Sequence, residues 1–107
     1  MNKLIDQHRD TITQLCRRYG VQRLELFGSA TTEEFDPARS DIDFLFEFDS
    51  NPADLFNRFF GLKESLEALY GREVDLVTIS AMRNPYFIES VNKTRQLVYA
   101  AENAQAA

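Results

Sequence analysis

The sequence predicts one mixed α/β (α+β) domain, with a four-stranded mixed sheet flanked by helices. Three observations predict it. Apolar residues switch between helical and two-residue spacing in the order helix, strand, strand, helix, strand, helix, strand. The 107 residues fit a single domain over 1–107, for which size scaling buries about two-thirds of the unfolded surface. The balance of 44% hydrophobic and 27% charged residues is ordinary for a soluble globular domain.

Residues 3–19 read as a helix, because Leu4, Ile5, Ile12, Leu15, Cys16 and Tyr19 fall on one stripe and Gly20 stops it. His8 lies among polar residues and is expected at the surface rather than on a metal. Cys16 belongs to the apolar stripe and is expected in the core rather than as a nucleophile. Residues 21–27 alternate and read as a strand, broken by Gly28-Ser29. Residues 30–40 read as a short helix or turn and a loop. Residues 41–48 form a second strand, with Ile42, Phe44, Phe46 and Phe48 on one face and Asp41, Asp43, Leu45 and Glu47 on the other.

Asp49-Ser50-Asn51-Pro52 signals a helix start, and that helix runs to about Tyr70, with Gly71 after it. Leu55, Phe59, Leu62, Leu66 and Leu69 repeat at helical steps, widened by Phe56, Phe60 and Tyr70. Gly61 costs about 1 kcal/mol of helix propensity, which packing must offset. Residues 73–78 form a third strand, Asn84-Pro85 starts a last helix through Ile88 and Val91, and residues 96–100 form a final strand. The small, polar residues 101–107 read as a flexible tail.

Twelve Lys and Arg against 17 Asp and Glu leave a net charge of −5. An acidic chain repels phosphate backbones, so direct nucleic-acid binding is not expected. A single cysteine excludes an internal disulfide framework and suits a reducing compartment. No apolar run approaches the roughly 20 residues of a membrane span, and the N-terminal residues lack a signal-peptide stretch. The cytoplasm is the expected location.

Three features carry chemistry. Gly28-Ser29 follows a strand directly; such a pair is commonly a plain turn, or its free N–H groups and hydroxyl form a small anion site. Asp41-x-Asp43 puts two carboxylates on one face at the rim of a buried strand, where Mg²⁺ is a natural neutraliser; an exposed acidic strand end is the alternative. Asp75 interrupts the apolar Val74-Asp75-Leu76-Val77, which calls for either an arginine partner or a metal. Three such carboxylates can hold two Mg²⁺ ions, the arrangement used for displacement at phosphorus.

Leu26-Phe27-Gly28-Ser29-Ala30, Phe35-Asp36-Pro37, Ser40-Asp41-Ile42-Asp43-Phe44-Leu45 and Val74-Asp75-Leu76-Val77 together resemble the minimal nucleotidyltransferases of the polymerase-beta-like superfamily. The resemblance covers about residues 3–100 and extends to Asn84-Pro85-Tyr86-Phe87 and Leu97-Val98-Tyr99. It implies the nucleotidyltransferase fold and transfer of a nucleoside monophosphate from an NTP to a hydroxyl. Carried over, Gly28 and Ser29 would hold the triphosphate of ATP. Asp41 and Asp43 would ligate Mg²⁺, and Asp75 would complete a catalytic site with two Mg²⁺ ions. Many such proteins are antitoxins that add AMP to a tyrosine of a HEPN-domain RNase toxin, which implies a hetero-oligomer.

The sequence departs from the family where Arg-Gly often follows Gly-Ser-x-x. Here the run is Ala30-Thr31-Thr32-Glu33, and Arg39 and Arg83 are the candidate substitutes. Two alternatives stay open: a contact-only antitoxin with a degenerate site, and an enzyme acting on a small molecule or an RNA end. Phe56, Phe60 and Tyr86 are expected in the core; exposed, they would form an interface patch.

Overall fold

The computed structural model describes residues 2–33, 35–36 and 40–101. The tail beyond residue 101, and Arg39 with it, lie outside the described residues. The elements are α1 (Lys3–Asp6), α2 (Arg9–Tyr19), β1 (Val21–Phe27), a 3-10 turn (Gly28–Thr31), β2 (Ile42–Phe48), α3 (Leu55–Tyr70), β3 (Val74–Thr78), a second 3-10 turn (Ile79–Ala81), α4 (Pro85–Asn92) and β4 (Gln96–Ala100). The sheet order is β3-β2-β1-β4. β1 runs antiparallel to β2 and β4, while β2 and β3 are parallel and joined through α3, so the sheet is mixed as expected.

Alternation in β2 sorts the molecule into two faces. Ile42, Phe44 and Phe46 join Leu24, Leu26, Ile12, Cys16, Leu62 and Leu66 in the main core beneath α2 and α3. Cys16 is fully enclosed, and burial pushes its thiol up to about 12, which suits packing and not nucleophilic attack. On the opposite face Leu45, Phe27 and Val91 make a smaller cluster under α4. Gly61 earns its place on α3 by close approach: an added Cβ would strike the ring of Tyr19 on α2.

Three elements differ from expectation. The first helix breaks at Gln7-His8, where His8 takes a non-helical φ of −123° and its ring meets Tyr70 edge-on at 5.3 Å. α3 begins at Leu55, three residues past Pro52. Asp54 before it adopts a left-handed conformation (φ 60°), while Arg58 gathers the incoming loop by donating to Asn51 O (2.8 Å), Ala53 O (3.0 Å) and Asp49 Oδ1 (2.9 Å). Finally, Phe56, Phe60 and Tyr86 are exposed rather than buried. α4 follows expectation, with Asn84 accepting from the N–H groups of Tyr86 and Phe87 and Pro85 in its first turn. Among the described residues no helix is long and apolar enough to cross a membrane.

Candidate functional site

The site is built on the ends of three adjacent strands. Backbone register sets Phe27 of β1 opposite Asp43 of β2, and Asp43 beside Asp75 of β3. Side chains at paired positions emerge from the same face, so the two carboxyls are neighbours without any loop to place them. They share a hydrogen bond. Burial, that bond, and the charges of Asp75 and Asp41 push Asp43 up to about 6. Two carboxylates set side by side disfavour the charged form of Asp43 unless a cation lies beside them.

Gly28 closes the other side of Asp43. Its φ is +77°, and a Cβ there would lie 2.6 Å from Asp43 Oδ2, so both backbone and space require glycine. The turn it opens is fastened at several points. Thr31 Oγ1 donates to Gly28 O (2.8 Å), and Asn2 Nδ2 donates to Ala30 O (2.7 Å). Gly28 N–H donates to Thr94 Oγ1 at 2.9 Å. Ser29, next in the turn, is half-buried.

The expected residues thus divide. Gly28, Asp43 and Asp75 come together, with Ser29 one residue along. Asp41 stands just ahead of β2 and is exposed, close enough for its charge to act on Asp43. Among the described residues no group of three or more His, Cys, Asp or Glu is gathered to hold a metal ion. Asp75 does not bear the burial cost expected of it, because β3 is an edge strand and leaves that carboxylate exposed. It has no arginine partner among the described residues; the nearby cation is Lys63. Arg83 turns to its own loop, donating to Ser80 O (2.7 Å) and Met82 O (3.1 Å), rather than toward the acid pair.

The acid pair opens on a cleft of about 400 Å³ lined by Phe27, Phe59, Lys63, Val77 and Phe87. Lys63 Nζ donates to Glu67 Oε2 (2.9 Å) and Val74 O (2.6 Å), and Glu67 accepts from Val74 N–H (3.2 Å). That pair caps the outer edge of β3 at its start.

Sequence reasoning missed Thr94, Lys63 and a buried ion pair behind the turn. Glu25 of β1 is 3% exposed and accepts from Arg95 Nε and Nη2, both at 2.8 Å, and from Arg23 Nε at 2.8 Å. The arginines, with Arg95 the larger influence, hold its carboxyl down to about 2. The i, i+4 spacing of Lys63 and Glu67 and the i, i+2 spacing of Arg23 and Glu25 on β1 were the local signals. The Thr94 and Arg95 contacts span 66 and 70 residues and leave none.

Residues 8–98 match the family model described as the nucleotidyltransferase domain. The chain is 38% identical over 88 residues to the protein adenylyltransferase MntA of Thermococcus cleftensis, covering 80% of this chain and 81% of that one. A candidate protein adenylyltransferase of Methanocaldococcus jannaschii is 36% identical over 101 residues, covering 91% and 98%. Among solved structures, a candidate minimal nucleotidyltransferase superposes with a TM-score of 0.69 at 28% identity, covering 88% of this chain and 92% of that one. The MNT antitoxin bound to tri-AMPylated HEPN toxin of Shewanella oneidensis shares the fold (TM-score 0.61, 17% identity, covering 94% and 76%). With four strands in this order, a glycine turn against a strand aspartate and a family match across most of its length, the chain belongs to the nucleotidyltransferase domain family of enzymes.

Proposed function

We propose that this protein is a Mg²⁺-dependent adenylyltransferase that moves AMP from ATP to a tyrosine hydroxyl of a HEPN-domain RNase toxin, and that it serves as the antitoxin. The observation that carries this reading is the side-by-side Asp43–Asp75 pair of β2 and β3 set against the Gly28 turn. A relative at 38% identity is named a protein adenylyltransferase, and neighbours in fold include an MNT antitoxin in complex with a HEPN toxin and a toxin-antitoxin with AMP-PNP.

The donor set fits a hard divalent cation. Mg²⁺ binds through one or two carboxylates together with substrate phosphates, and Asp43 and Asp75 offer two oxygens-only side chains at the mouth of a cleft. Asp41, exposed at the strand entrance, would supply a third. Bound there, the ion would neutralise the acid pair and the phosphate charge beside it. The chain's own residues do the rest. The Gly28-Ser29 turn binds the triphosphate through backbone N–H groups and the Ser29 hydroxyl; Gly28 N–H itself is already held by Thr94, which leaves the later amides of the turn. Asp75, on the outer side of the pair, orients the acceptor hydroxyl and takes its proton as oxygen attacks the α-phosphorus and pyrophosphate leaves.

The test is the intact mass of the HEPN-domain protein of the same operon after incubation with this chain, ATP and Mg²⁺. A gain of AMP that is absent with Asp43→Asn is expected. A stable complex with no mass gain would favour neutralisation by contact alone, the reading that the lack of a gathered set of three metal-ligating side chains among the described residues supports.

A further inference from the structure

An aromatic groove lies beside the acid cleft, and catalysis as proposed does not use it. Its volume is about 570 Å³, and its walls are Pro52, Leu55, Phe56, Phe59 and Phe60 over Phe48. Phe56 is 73% exposed, Leu55 46% and Phe60 42%, and the rings of Phe56 and Phe60 pack at 4.7 Å. A contiguous apolar surface of this kind marks an interaction site more often than a bare monomer surface.

We propose that this groove is the docking site for an apolar, basic-flanked segment of the acceptor protein, seated so that its hydroxyl enters over the edge of β3. The proposal rests on the transfer reading above. Three observations favour this occupant. The groove is continuous with the candidate site, because Phe59 lines both the groove and the acid cleft. Strand order gives the site a direction: Gly28 flanks Asp43 on the β1 side and Asp75 flanks it on the β3 side. With the triphosphate on the Gly28 turn, the β3 side of the acid pair is left for the acceptor, and the groove meets the acid cleft at Phe59.

Charge is the third. Glu47 stands on the groove rim without a cationic partner among the described residues, Asp49 beside it is paired with Arg58, and the chain carries −5 overall. A protein that handles RNA presents a basic surface to it, which is complementary to an acidic rim. A second copy of this chain would bring the same negative charge and is disfavoured.

The experiment pairs Phe56→Ser/Phe60→Ser with the wild type, using the operon's HEPN-domain protein as probe. Both side chains are exposed, so the fold should persist; circular dichroism melting checks it, and Lys93→Ser on the exposed end of α4 serves as a surface control. Loss of two aromatic anchors should weaken the complex and raise KM for the acceptor about thirtyfold, with kcat within about twofold. ATP binding by the double variant should equal that of the wild type. A variant that binds and modifies the probe as well as wild type overturns the docking site and leaves the transfer reading intact. A wild-type complex that forms without transfer, and is weakened by the same substitutions, upholds the docking site and sinks the transfer reading. Self-association of the wild type that the double variant abolishes makes the occupant a second copy and overturns the proposal.

Discussion

The two sides of β2 share one backbone and are under opposite demands. On one side Ile42 and Phe44 are fully enclosed beneath α2 and α3. On the other, Asp43 sits between a glycine turn and a second carboxylate, and its charged form is disfavoured. The first side stabilises the fold and touches no ligand. The second side gives up stability to hold two acids together, so substitutions on the two sides should move stability in opposite directions and differ in their effect on activity.

The sharpest separation is expected from Phe44→Ala. Truncating an enclosed phenylalanine should cost about 3–5 kcal/mol in urea melts, while the activity of the molecules that remain folded stays near wild type. Asp43→Asn should do the reverse. Transfer to the partner should drop about a thousandfold, measured by radiolabelled AMP incorporation, while stability at neutral pH rises by about 1–2 kcal/mol. Should that variant melt lower than wild type at neutral pH, the view that Asp43 is held at a cost is wrong.

Gly28→Ala places a methyl against the Asp43 carboxylate at a left-handed position. It should lower both properties, by about 1–3 kcal/mol in stability and more than tenfold in transfer. It is the one position where the two sides of the comparison should merge.

pH separates Asp43 and Glu25 by sign. Asp43 is raised from 3.8 to about 6, so the folded state holds its proton longer than the unfolded state does, and stability falls as pH rises from about 4 to 6. Glu25 is lowered from 4.5 to about 2; its contribution is full above pH 4.5 and is lost as pH falls toward 2. Thermal melts of Asp43→Asn should lose the decline between pH 4 and 6, and melts of Glu25→Gln should lose the drop below 4.5. Glu25→Gln should also cost about 2 kcal/mol at pH 7.

The sheet was legible because strands alternate with a period of two, and the Ile42-Phe44-Phe46 row is hard to read otherwise. Gly28, Asp43 and Asp75 were legible for the same reason: each is a polar or flexible residue at a strand end or within an apolar run. The stripe on α3 misled at one end. Leu62 and Leu66 face the sheet, but Phe56 and Phe60 repeat the same spacing on a turn that leaves the core, and periodicity carries no information about where cover ends. The late start of α3 depends on Arg58, whose partners include Tyr19 O (2.8 Å) and Gly20 O (3.0 Å), far away in sequence. Thr94 was invisible because a lone threonine after a helix has no pattern.

The lateral pairing of Asp43 with Asp75 has a thermal consequence. Their separation is inherited from hydrogen-bonded strands rather than from a loop, so it holds for as long as β3 stays paired to β2 at the edge of the sheet. Warming should therefore leave the carboxylate spacing untouched until that ladder opens, and loss of function on heating should trace the loss of β3 from the sheet. Asp41, one residue outside the ladder, is the member of the set free to drift first.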